Sequence, residues 1–146
     1  MIAYSATVSQ NNHLPKERRI QLLRRLSIDH LMTRNSQWQV EINRISEAIN
    51  ASFPTVEAAI SLAKGNKYEE VFELMLALQK LKKQKVDSLY QLISNQDTEL
   101  KRQKNNRCSF NCQHQITNQQ LEIELLLETI QKEFMVLKNA INRRTI

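Results

Sequence analysis

One glycine, Gly65, and two prolines, Pro15 and Pro54, are the only backbone punctuation in a chain of 146 residues. Hairpins, Greek keys and phosphate-cradling loops depend on glycine wherever the chain needs positive φ or close backbone approach. So little turn chemistry excludes a sandwich, a barrel or a Gly-looped nucleotide-binding domain. Helix is what remains, and the apolar spacing points the same way. From Ile28, steps of 3-4-3-4-3-4 visit Ile28, Leu31, Asn35, Trp38, Ile42, Ile45 and Ile49, apolar everywhere except Asn35. This is the seam of an amphipathic, coiled-coil-like helix. The last helix has a similar stripe in Ile123, Leu127, Ile130, Phe134, Leu137 and Ile141.

Between and before these stripes the pattern predicts further helices. Pro15–Leu26 is helical, with Pro15 in its first turn. Its apolar residues Ile20, Leu22, Leu23 and Leu26 point roughly 100–130° away from the following seam, so a break falls between Ser27 and Ser36. Ser52-Phe53-Pro54-Thr55 ends the seam helix, because proline has no N–H to donate. A short helix over Thr55–Lys64 follows, with Gly65 as its left-handed cap and Asn66 with Glu69 as a capping box for the next. That long helix buries Val71, Leu74, Met75, Leu78, Leu81, Leu89, Leu92, Ile93 and Leu100. Asn105–Gln115 reads as a polar connection. Thr117 and Gln120 form a second capping box, with Ile116 and Leu121 as its staple. The sequence therefore predicts an all-α antiparallel bundle of four or five helices with coiled-coil-like seams. Residues 13–146 form its single domain, after a mobile tail over residues 1–12.

Apolar residues are 41% of the chain, enough for a real core, yet no stretch is long and apolar enough to span a membrane. No secretory leader is expected, and two cysteines are too few for a disulfide framework, so the expected compartment is reducing and cytoplasmic. Cys108, Cys112 and His114 supply three metal ligands where structural zinc needs four, so no metal or other cofactor is expected. The chain has no Gly-rich phosphate loop, no H-E-x-x-H and no G-x-S-x-G. Glu69, Glu70, Glu73, Glu122, Glu124 and Glu128 sit at spacings that suit solvated helix faces or i,i+4 pairing. The expectation is a protein without enzymatic activity.

Two surfaces then compete for the function. With 21 basic and 15 acidic residues the net charge is +6. Lys80, Lys82, Lys83, Lys85, Lys101, Arg102, Lys104 and Arg107 could form a nucleic-acid interface. Acidic residues interleave the basic clusters, however, and no aromatic lies within Lys80–Lys85 to stack on a base. The stronger signal is apolar. Leu121, Leu125, Met135 and Val136 point away from the Ile123–Ile141 stripe, and Lys82 and Lys85 interrupt the arc of Leu78, Leu81, Val86 and Leu89. These six residues are the candidate partner-binding set. A helical interaction protein that packs against a protein partner or a second copy is the leading expectation, with a basic nucleic-acid-binding bundle as the alternative. Salt separates them, since phosphate binding weakens steeply with salt and apolar docking does not.

Overall fold

The computed structural model describes residues 14–105 and 110–145. The expected tail over residues 1–12 lies outside them, as do Arg107 and Cys108. The chain is an all-α bundle of α1 (Lys16–Arg24), α2 (Ile28–Leu62), α3 (Asn66–Lys80), a π-helical stretch (Leu81–Val86), α4 (Asp87–Asn105) and α5 (Phe110–Thr145). The α3–π–α4 stretch is one continuous rod, so four helical rods pack together. Cross-links give the directions. Lys82 reaches Asn50, Tyr90 reaches Asn43 and Lys104 reaches Asp29, so the rod runs antiparallel to α2. Arg144 meets Glu70 and Lys85 meets Glu133, so α5 runs antiparallel to the rod.

The break before α2 lies at Arg25–Ser27, at the N-terminal edge of its expected window. Pro15 precedes α1 with φ −57°, and its carbonyl accepts the first helical bond from Arg19 N–H at 3.1 Å. Ser27 caps α2 by accepting the His30 N–H at 3.2 Å.

Pro54 does not end a helix: α2 runs straight through it for 35 residues. Pro54 and Asn50 are both exposed, so the carbonyl that loses its partner faces solvent. Beyond the proline, fully buried Val56 and the packed Phe53, Ala59 and Ile60 hold the helix to the core. Packing overrides the local preference, and the separate Thr55–Lys64 helix does not exist.

Gly65 has φ 62° and ψ −134°, a conformation closed to L-residues, but it stands at the N-cap of α3 and not as a left-handed C-cap. It occupies the position expected of Asn66, so the Asn66–Glu69 capping box does not form. An added Cβ meets nothing within 4 Å. Gly65→Ala is therefore expected to cost about 1–3 kcal/mol through backbone strain alone, read from urea unfolding. An unchanged midpoint would contradict this.

The π-helical stretch explains how the rod buries both of its halves. Leu78, Leu81, Val86, Leu89 and Ile93 are buried, with a gap of five between Leu81 and Val86. Ordinary α-winding would turn Val86 away from Leu81; the wider i→i+5 turn stacks them. Leu92 is only partly buried. Phe134 and Leu137 are likewise half-buried, against an expectation of full burial for Phe134.

At its other end α5 starts earlier than expected. Residues 110–115 are helical, so the Asn105–Gln115 connection shrinks to residues 106–109, which are not described. The second capping box is overturned too. Thr117 lies inside α5, donating to the Gln113 carbonyl at 2.9 Å, and the Gln120 side chain is buried.

Candidate functional site

Two apolar clusters fill the bundle. The larger joins Trp38, Ile42 and Ile49 of α2 to Leu78, Leu89, Ile123, Leu127 and Ile130. The smaller joins Leu23, Leu31, Leu100, Ile116 and Leu121. A polar layer separates them. Gln96 donates to the Ile116 carbonyl at 2.9 Å and to Gln120 Oε1 at 3.0 Å. Arg19 reaches Glu124 and Glu128 at 2.6 Å each, with Arg34 at 3.8 Å from Glu124. Glu124 and Glu128 are therefore not on a solvated face: they are buried and balance two arginines. Burial opposes the Arg19 charge, but the hydrogen bonds to Glu128 and Glu124 outweigh it and raise the guanidinium above its ordinary pKa. These carboxylates dock α1 onto α5.

Asn35 of α2 belongs to the same layer. It is 1% exposed, and neither its amide nor the neighbouring Trp38 indole N–H has a hydrogen-bond partner among the described residues. A buried, unpaired amide is destabilising, though polar seam residues can specify register. Asn35→Leu is expected to stabilise the fold by about 1–2 kcal/mol in chemical denaturation. A loss of stability would show that the amide is satisfied.

Outside the core, the six candidate partner-binding residues separate. Leu121 is 2% exposed, covered by the smaller cluster, and so is unavailable to a partner. Lys82 and Lys85 snorkel. Lys82 lies 5.8 Å over the Phe53 ring and donates to Asn50 Oδ1 at 2.6 Å, while Lys85 pairs with Glu133. Met135 and Val136 are 66% and 65% exposed, and Leu125 is at the edge of exposure. Leu125 and Val136 are eleven residues apart on α5, which places them on one line of the helix. Val136 and Lys85 line one groove of about 450 Å³, with Ala77, Leu81 and Leu137 and the charged Lys80, Lys132 and Glu133. The π-helical stretch forms one wall of this groove.

The cationic candidates are largely occupied. Lys85, Lys101, Arg102 and Lys104 pair with Glu133, Asp97, Glu99 and Asp29. Only Lys80 and Lys83 remain without a carboxylate or amide partner among the described members of that set. They do not form an open cationic strip. His114 is exposed and accepts from Arg24 at 2.6 Å when Nδ1 is unprotonated. The Cys112 side chain is not described, and among the described residues no three His, Cys, Asp or Glu gather to hold a metal ion.

One surface escaped the sequence reading. Tyr68, Phe72 and Leu76 are exposed on α3, with the first two rings stacked 6.0 Å apart. They follow i, i+4, i+8 spacing, but the stronger core stripe on the same helix masks them.

No family model, curated protein or solved structure matches this chain. No described helix is long and apolar enough to cross a membrane.

Proposed function

We propose that this chain is a non-enzymatic, cytoplasmic protein–protein interaction protein that holds a partner by helix packing, as an adaptor, assembly subunit or chaperone-like binder. One observation carries this: Met135 and Val136 stand two-thirds exposed, off the inward stripe of α5, and Val136 lines a groove in which Leu81 and Leu137 lie among four charged side chains. Burying such side chains contributes roughly 1.5–3 kcal/mol each before association costs are deducted. A partner helix laid along α5 would cover Leu125 and Val136 together and place apolar side chains over Leu81 and Leu137.

The test is a photo-reactive amino acid placed at Met135 and, separately, at exposed Glu47, in cells that make the protein. Discrete protein adducts from position 135 and none from position 47 are expected. Indistinguishable adduct patterns would contradict the proposal.

A further inference from the structure

The outward face of α3 carries its own complement. Glu69, Phe72, Glu73, Leu76, Lys80 and Lys83 are all exposed on the rod, and the acidic residues precede Leu76 while the basic ones follow it. Among the described residues Glu69, Glu73, Lys80 and Lys83 form no ion pair. The helix dipole favours glutamates near the start of α3, but it does not account for the lysines, because the rod continues unbroken to Asn105. Nor does it account for Phe72 and Leu76, which are 42% and 49% exposed between the two charged halves.

We infer that this face is the contact between two copies of the chain, paired antiparallel about a two-fold axis near Leu76. A two-fold contact requires a surface that complements itself on rotation, and this one does. Glu73 and Lys80 lie three residues before and four after Leu76, so each Glu73 meets Lys80 of the second copy. Glu69 and Lys83 lie equally far on either side and form the outer pair. Leu76 meets its own symmetry mate, and each Phe72 packs on the lysine stem opposite. A parallel arrangement would set like charges against each other. The contact shares Lys80 with the rim of the α5 groove, but Glu69, Phe72, Glu73 and Leu76 lie outside that groove, so either surface could fail while the other stands.

Sedimentation equilibrium of the full chain tests it with Glu73→Lys, Lys80→Glu and the combined variant, all exposed positions whose folding circular dichroism verifies. The wild type is expected to dimerise. By symmetry each single reversal spoils two ion pairs, and weakens the dimer roughly tenfold. The combined variant restores it, because the reversed charges meet across the interface. Leu125→Glu alone, outside the groove that Lys80 and Val136 share, leaves it unchanged. A monomer at every concentration overturns the inference. So does a dimer that ignores the single reversals, or a combined variant no better than either.

Discussion

Trp38→Ala is expected to lower the unfolding free energy by about 3–5 kcal/mol, measured by urea denaturation followed by circular dichroism. Trp38 is the largest fully buried side chain, 0% exposed, where the larger apolar cluster meets the polar layer. Truncation opens a cavity that rigid helices on every side cannot close. It also removes an unpaired indole N–H, which offsets a small part of the loss. A cost below about 1 kcal/mol would mean that the larger cluster does not close around this position.

Arg19→Met is the second large effect. It leaves Glu124 and Glu128 buried at the α1 contact, with only Arg34 nearby, and stranded buried charge of this kind costs about 3–5 kcal/mol. The molecule has an escape. α1 has nine residues and a short link to α2, so it can lift away and let water reach the glutamates. The loss is then limited to the docking energy of α1. Hydrogen exchange is expected to show unprotected amides over Lys16–Arg24 while those of α3 and α4 stay protected. Replacing all three groups, as Arg19→Met with Glu124→Leu and Glu128→Leu, is expected to restore protection, since the layer is then apolar. Full protection of α1 in the single variant would contradict the role assigned to Arg19.

These residues also mark where the sequence was legible. Trp38, Ile42, Ile123 and Ile130 announce their burial through spacing, because a helix turned toward a core must repeat its apolar residues every three or four positions. Arg19 and its partners gave no such signal, since a glutamate inside a core and one in water look alike in sequence. Pro54 misled because local chemistry favours a helix end there, while Val56 and Ile60 anchor the chain from further along. Residues 110–115 are helical, but Phe110 and Cys112 are the only apolar residues among them and lie two apart, so they present no helical apolar period to detect. The π-helical stretch was visible only as two lysines in an apolar arc; the five-residue gap from Leu81 to Val86 was its actual signature. Of the candidate surface, Met135 and Val136 were readable as apolar residues off the stripe. Leu121 shared that signature and is buried, because α1 covers only part of α5.

The proposal that α5 presents its exposed apolar side to a protein partner is tested most directly by Leu125→Glu combined with Val136→Glu, with the photo-reactive residue again at position 135. Both side chains face outward, so the unfolding midpoint is expected to stay within about 0.5 kcal/mol of the parent while the adducts disappear. A folded double variant that still gives the same adducts would contradict it.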